Sequence, residues 1–141
     1  MSVDVFIDTN VFVYQLDTRD SRKHAIADRI VGEALADERA CISFQVVQEC
    51  LNTLLRKAEV TLDAAAARAY LDTVLAPLYR IDPSPGLYRR ALDAQQRWKF
   101  SFYDSLIVAA ALEAGCKRLL SEDLQHGQRI EALRTENPFK K

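Results

Sequence analysis

Four acidic residues stand at or near the points where predicted strands pass into helices. Asp8 directly follows the apolar run 3–7, Glu49 lies one to two turns into a helix that follows residues 40–43, Asp104 opens an otherwise apolar helix, and Asp123 comes just after residues 117–120. In an open α/β sheet, ligands bind in the crevice beyond the carboxyl ends of the strands. Because clustered carboxylates repel one another unless a cation neutralises them, this arrangement predicts a metal site.

The residue types indicate which metal such a site would take. A site made of carboxylates alone favours a hard cation such as Mg²⁺ or Mn²⁺. His24 and His126 do not have zinc-ligand spacing to each other or to a cysteine. The three cysteines (Cys41, Cys50 and Cys116) are scattered and form no CxxC pair, which argues against a zinc site and against a disulfide framework. We expect Cys41 and Cys50 to be small buried side chains.

Each acid also has a purely structural explanation when it is taken alone. Asp8 and Asp104 are suited to cap the N-terminus of a helix, an interaction worth about 1 kcal/mol. Asp123 suits a turn, and Glu49 suits the solvated face of a helix. The helix that begins at Asp104 has almost no other polar residue, however, and this favours an enclosed site over four unrelated surface acids.

The bulk composition restricts the class of protein without naming a function. The 141 residues predict a single domain, 1–141, with a sizeable core. The net charge is −1, whereas nucleic-acid-binding proteins are often basic, so any nucleic-acid function must rest on a local site. No apolar run approaches the roughly 20 residues of a membrane-spanning helix, and the first residues do not resemble a signal peptide. The cytoplasm is therefore the expected compartment.

The pattern of apolar residues predicts strands that alternate with helices. We expect strands at 3–7, 40–43, 78–81 and 117–120, with a fifth strand after Gly127. We expect helices at 11–16, 22–38, 44–57, 62–76, 87–98 and 103–114. Thr61 is the expected cap of the fourth helix and Pro77 its end, and Gln45 and Glu49 should share the polar face of the third. This alternation predicts an α/β domain with a mainly parallel sheet.

Four segments, in this order, carry a resemblance to a known family. VFIDTNVFVY, SFQVVQECLN, FSFYDSLIVAAALEAGC and LLSEDL resemble the PIN domain, and most closely the VapC toxins of bacterial type II toxin–antitoxin modules. The resemblance runs over nearly the whole chain. It implies a three-layer α/β/α sandwich around a mainly parallel sheet of four to five strands. It also implies an endoribonuclease that depends on Mg²⁺ or Mn²⁺.

The resemblance also implies roles for individual residues. The acidic positions of the family fall on Asp8, Glu49, Asp104 and Asp123, its polar helper on Asn10, and its hydroxyl on Ser121. Asp8 and Asp104 are the expected direct metal ligands, while Glu49 and Asp123 bind directly, through water, or at a second ion. Asn10 and Ser121 orient carboxylates or waters, or else cap a helix or turn. The third motif reads Tyr-Asp-Ser where many members have Asp-Ala, which leaves the acid in place.

The sequence indicates the substrate and the partners less specifically than it indicates the metal site. Arg89, Arg90, Arg97 and Lys99 form the densest basic segment and are candidates for RNA phosphates, although such a run is also typical of a solvated face. Trp98, Phe100 and Phe102 are candidates for base stacking, with core packing as the alternative. The resemblance implies a homodimer inhibited by a cognate VapB-like antitoxin, which often inserts a basic side chain toward the acids.

Three other functions remain open at this point. A stand-alone PIN nuclease in RNA processing would share the same site. A receiver-like signalling domain would need a phosphoacceptor after a middle strand, for which Asp82 is the candidate, and a lysine near the end of a late strand, which is missing after residue 120. A non-catalytic binding module is disfavoured by the complete set of acids.

Overall fold

The computed structural model describes residues 2–57 and 60–141. Its helices are α1 (Thr9–Leu16), α2 (Ser21–Asp37), α3 (Phe44–Arg56), α4 (Ala64–Tyr70), α5 (Ala76–Leu78), α6 (Pro85–Trp98) and α7 (Phe102–Glu113), with a π-helical turn at Leu71–Leu75 between α4 and α5. Its strands are β1 (Val5–Ile7), β2 (Ala40–Ser43), β3 (Tyr79–Ile81), β4 (Arg118–Leu120), β5 (Arg129–Ile130) and β6 (Leu133–Glu136). Most of the predicted elements are confirmed to within a few residues.

The strands form one mostly parallel sheet in the order β3-β2-β1-β4-β6-β5. The N-terminal strand β1 is central and pairs in parallel with β2 on one side and β4 on the other. Strand β6 is parallel to β4, and β5 is the one described strand that runs antiparallel, at the edge of the sheet. The predicted α/β fold with a mainly parallel sheet is confirmed. In the described residues the sheet has six strands rather than four to five, because the single strand expected after Gly127 is a hairpin of two.

The core lies around β1 and the long apolar helix α7. Phe6 and Ile7 of β1 are fully buried, and side chains of this kind contribute about 1.5–3 kcal/mol each. Seven successive residues of α7, Ser105 to Ala111, are buried, as its lack of a polar face predicts. This burial fixes the N-terminal turn of α7, which carries Asp104. None of the helices in the described part of the chain combines the length and the hydropathy of a membrane-spanning segment.

Two expectations about the fourth helix are wrong. Asp63, not Thr61, caps α4, because its Oδ1 accepts a hydrogen bond of 2.8 Å from the backbone N of Ala66. The Thr61 hydroxyl instead donates to the carbonyl oxygen of Lys57. Pro77 does not end the helical stretch. It lies in the first turn of α5, after the π-helical turn, where a missing N–H costs little, and the helix ends at Leu78.

One residue of α3 is placed differently from the expectation. Gln45 was expected on the polar, solvated face with Glu49, but its side chain is only 4% exposed. It is buried because the start of α7 packs over it, and its Nε2 donates to the carbonyl oxygen of Tyr103 at 3.1 Å. Helical periodicity assigns a residue to a face but does not show which neighbouring element covers that face.

Candidate functional site

A cavity of about 310 Å³ lies beyond the carboxyl end of β1, and all four predicted acids line it. The acids come from four different elements: Asp8 caps α1, Glu49 lies on α3, Asp104 on the first turn of α7, and Asp123 in the loop after β4. The other described residues that line the cavity are Thr9, Asn10, Val13, Tyr14, Gln45, Thr53, Lys57, Tyr103 and Ile107. The sheet therefore brings together side chains that are far apart in the sequence.

Asp8 is the most enclosed of the four acids, with 5% of its surface exposed. Its backbone N donates to the carbonyl oxygen of Leu120 at 2.9 Å, which ties the end of β1 to the end of β4. Its Oδ1 accepts from the backbone N of Thr9 and its Oδ2 from the Ser121 hydroxyl, each at 2.7 Å. Asp8 is thus both the N-cap of α1 and a wall of the cavity.

The electrostatic state of Asp8 reflects this position. Burial raises its pKa to about 6, against the two hydrogen bonds from Ser121 and Thr9, which favour the charged form. The nearby carboxylates of Asp123 and Glu49 raise the pKa further. A buried carboxylate with negative neighbours is in the state that a bound cation would relieve.

Asp104 does not cap its helix. Ser101 does so, since its Oγ accepts from the backbone N of Asp104 at 3.1 Å. The carboxylate of Asp104 is half-buried, and burial raises its pKa, with a smaller contribution in the same direction from Asp123. The capping explanation of Asp104 is therefore wrong, and its side chain lines the cavity.

Glu49 and Asp123 are held by neighbouring polar side chains. The Thr9 hydroxyl donates to Glu49 Oε1 at 3.2 Å, a contact that links α1 to α3. Asn10 Nδ2 donates to Asp123 Oδ2 at 3.3 Å, while Asn10 Oδ1 accepts from the backbone N of Glu122 at 3.3 Å. Asn10 therefore joins the start of α1 to the loop that carries Asp123.

Ser121 connects two of the acids. Its hydroxyl is fully buried, donates to Asp8 Oδ2 and accepts from the backbone N of Asp123 at 3.1 Å. These contacts, like those of Asn10, are the ones a residue that orients carboxylates would make. The roles of both residues stay predictions.

The donor set fits a hard divalent cation. Carboxylate, amide and hydroxyl oxygens from the cavity wall are the ligands that Mg²⁺ and Mn²⁺ prefer. Lys57 is the only cationic side chain among the described lining residues, and its Nζ pairs with Asp17 Oδ2 at 3.3 Å. Within residues 2–57 and 60–141, however, no three His, Cys, Asp or Glu side chains stand close enough to hold an ion as they are.

Several residues that the sequence singled out lie away from the cavity. Arg89, Arg90, Arg97 and Lys99 do not line it. Trp98, Phe100 and Phe102 are partly buried and packed against the core, which confirms the packing alternative. The imidazole of His24 contacts the Tyr14 carbonyl oxygen, and that of His126 accepts from the backbone N of Asn137. The three cysteines are free and buried.

The receiver-like alternative has no support in the structure. Asp82 is exposed, accepts a hydrogen bond from the hydroxyl of Tyr79, and does not line the cavity. Conversely, sequence reasoning gave no role in the site to Thr9, Gln45, Lys57 or Tyr103. Thr9 lies between Asp8 and Asn10, and Tyr103 directly precedes Asp104, so their nearness to the site is visible in the sequence. Lys57 and Gln45 carried no signal, because their place in the cavity depends on how α1, α3 and α7 pack.

Comparisons with known proteins agree with this geometry. The family model of the PIN domain matches residues 5–129. A search of curated proteins gave no match. Among solved structures, similar folds include the Mycobacterium tuberculosis VapC20, described as a sarcin–ricin loop cleaving toxin (21% identity, 85% of this chain and 90% of that chain, TM-score 0.62).

Two further similar structures are a toxin–antitoxin complex and a VapBC assembly bound to DNA. One is a complex from Klebsiella pneumoniae (17% identity, 96% of this chain and 98% of that chain, TM-score 0.63). The other is VapBC2 from Rickettsia felis bound to a DNA fragment from its promoter (19% identity, 96% of this chain and 98% of that chain, TM-score 0.67). At these identities the likeness shows the fold alone. The family match over most of the chain shows more: this chain belongs to the PIN domain family of nucleases.

Proposed function

We propose that this protein is a Mg²⁺- or Mn²⁺-dependent endoribonuclease that hydrolyses RNA phosphodiester bonds as the toxin of a VapBC-type pair. The observation that carries the proposal is the convergence of Asp8, Glu49, Asp104 and Asp123, from four elements, on one cavity. Residues 1–141 act in this proposal as a single PIN domain in the cytoplasm.

The four acids would hold the metal. Asp8 and Asp104 are the proposed direct ligands, because burial raises the pKa of each carboxyl and each would therefore gain from an adjacent positive charge. Glu49 and Asp123 would bind directly, through water, or at a second ion. When bound, a divalent ion lowers the pKa of water and neutralises charge on phosphoryl oxygens.

The remaining residues of the wall would hold the acids in place. The Ser121 hydroxyl and the Thr9 backbone N fix both oxygens of Asp8. Asn10, at the start of α1, holds one oxygen of Asp123, Oδ2. Loss of such supporting contacts in metal sites typically lowers metal affinity or activity by 10- to 100-fold.

The test is cleavage of RNA by the purified protein. Total RNA is incubated with Mg²⁺, Mn²⁺ or EDTA, and the cut ends are mapped. We expect metal-dependent cleavage that Asp8→Asn and Asp104→Asn abolish, while Asp82→Asn, an exposed acid outside the cavity, retains full activity. Full activity in either of the first two variants, folded by circular dichroism, would refute the assignment.

The toxin part of the proposal concerns partners. The supporting observation is that one similar fold is described as a toxin–antitoxin complex and two others as VapBC assemblies bound to DNA. We infer a homodimer and a VapB-like antitoxin that places a basic side chain against the acids, where a guanidinium binds carboxylates in pairs. A small adjacent gene whose product co-purifies with the chain and blocks cleavage supports the toxin. Cleavage activity without such a gene indicates a stand-alone PIN nuclease.

A further inference from the structure

Two side chains of the cavity wall take no part in the arrangement of the acids. Tyr103 is 65% exposed, the highest value among the large hydrophobic side chains that the structure describes as exposed. The side chain of Lys57 is about one-third exposed, at 32%. Core packing does not explain the position of the Tyr103 ring, because the ring buries little apolar area. The Lys57 ammonium lies beside a cavity whose other charged residues, among those described, are acids.

The backbone that carries the Tyr103 ring is held firmly. Tyr103 lies in the first turn of α7, next to Asp104, and its carbonyl oxygen accepts from Nε2 of the buried Gln45 at 3.1 Å. Gln45 occupies this buried position although its Oε1 has no hydrogen-bond partner among the described residues, which is costly. The ring also contacts Phe102 edge-on, with 5.5 Å between ring centroids. Tyr103 is therefore an exposed aromatic surface on a fixed support.

Lys57 is held at the cavity by a buried acid. Its Nζ lies 3.3 Å from Asp17 Oδ2, and Asp17 has 5% of its side chain exposed. Arg19 already binds both oxygens of Asp17, at 3.0 Å from Nε and 2.8 Å from Nη2. Because an ammonium has three N–H donors, Lys57 can keep this contact and still donate to an anion in the cavity.

These positions suit a nucleic-acid strand better than a small ligand. A polyanion that approaches four carboxylates needs positive charge beside them, and Lys57 is the one cation of the cavity wall within the described residues. An exposed aromatic ring beside the same acids stacks on a base only if that base is unpaired. The two side chains therefore complement each other, one for phosphate and one for a base.

We propose that Tyr103 stacks on an unpaired base next to the scissile phosphate and that Lys57 binds a flanking phosphate of single-stranded RNA. This inference rests on the proposed nuclease function and adds the two residues that position the substrate. Stacking on an aromatic ring is tolerant of sequence, so these contacts select unpaired RNA rather than one base.

The test is binding of a labelled single-stranded RNA 12-mer, measured by fluorescence anisotropy in Mg²⁺ at several salt concentrations. The Asp8→Asn background prevents cleavage during the measurement. We expect Tyr103→Ala to weaken binding about 5- to 150-fold without changing the salt dependence, while Tyr103→Phe retains the parent affinity. We expect Lys57→Met to weaken binding and to reduce the slope of log affinity against log salt by about 0.7.

Matched controls separate these roles from general effects. Tyr88→Ala removes another exposed tyrosine, on α6, and Lys141→Met removes one positive charge at the C-terminus; neither residue lines the cavity. Both controls should bind like the parent, and duplex RNA should be insensitive to Tyr103→Ala. Unchanged affinity in Tyr103→Ala and unchanged salt slope in Lys57→Met would overturn the inference, while cleavage by the wild type would still support the nuclease. A wild type that neither binds nor cleaves RNA would overturn both.

Discussion

The Asp8 carboxylate has two tasks that conflict in the absence of metal. As N-cap of α1 it must accept a hydrogen bond from Thr9, and as a wall of the cavity it must be charged and desolvated. A pKa raised to about 6 from 3.8 means that the folded chain holds this proton more tightly than the unfolded chain. The ionised side chain therefore costs the metal-free fold about 3 kcal/mol at neutral pH.

Replacement of Asp8 by Asn should consequently stabilise the metal-free protein. Asn caps a helix about as well as Asp, so the variant keeps the cap and loses the buried charge. We expect the free energy of unfolding in EDTA to rise by about 1–3 kcal/mol at pH 7.5, as measured by urea denaturation.

The pH dependence gives the control for this prediction. Wild-type stability includes a penalty that grows as pH rises from about 4 to 6, where the unfolded chain has released the proton and the folded chain has not. The difference between the two proteins should therefore be small below about pH 3.8 and nearly complete above pH 6. A variant that is less stable than the wild type at pH 7.5 would show that the charged cap outweighs the burial cost.

At the scale of elements, the C-terminal segment supports the loop that carries Asp123. Phe139 is 3% exposed and packs edge-on against Tyr14, with 4.9 Å between ring centroids. Arg22 of α2 donates to the carbonyl oxygen of Phe139 at 2.8 Å. Glu122, the neighbour of Asp123, accepts from Tyr14 at 2.8 Å and from Lys23 at 2.5 Å. The tail, α1 and α2 thus form one support beneath the loop.

Truncation of Phe139 to Ala should weaken this support. We expect a loss of about 3–5 kcal/mol in the free energy of unfolding, because a buried ring and its contacts are removed. We also expect faster hydrogen exchange at the Glu122 and Asp123 amides, measured by mass spectrometry of the native protein. Deletion of the exposed Lys141 alone is the control. Equal exchange rates at these amides in Phe139→Ala and the wild type would show that the C-terminal segment does not support the loop.

Some features of these elements could be predicted from the sequence, and others could not. The positions of α2, α3 and α7 could be predicted, because apolar spacing records which face of a helix is buried. The convergence of the four acids could also be predicted, because parallel strands present their carboxyl ends at one edge of the sheet. The burial of Gln45 and its contact with Tyr103 could not be predicted from the sequence, since both depend on how α3 and α7 pack. Pro77 inside a helix depends on the preceding π-helical turn, which has no signature in residue types.

At the scale of the molecule, metal binding should appear as thermal stability. A ligand that binds only the folded chain stabilises it by about 2.7 kcal/mol at 100 times its Kd. For a domain of this size we expect Mg²⁺ to raise Tm by roughly 5–10 °C over EDTA, measured by differential scanning calorimetry. Asp104→Asn should lose most of this shift and Asp82→Asn should keep it. An equal shift in both variants would place the bound ion elsewhere.

The central position of β1 has a consequence for how the protein is made. Asp8 is translated early, but its hydroxyl partner Ser121 follows 113 residues later, and β1 gains its second neighbour only when β4 emerges. A chain still attached to the ribosome lacks part of the cavity wall until residues up to Asp123 have emerged. A growing polypeptide therefore cannot assemble the four acids into one cavity before residues 121–123 have been added and have folded against β1.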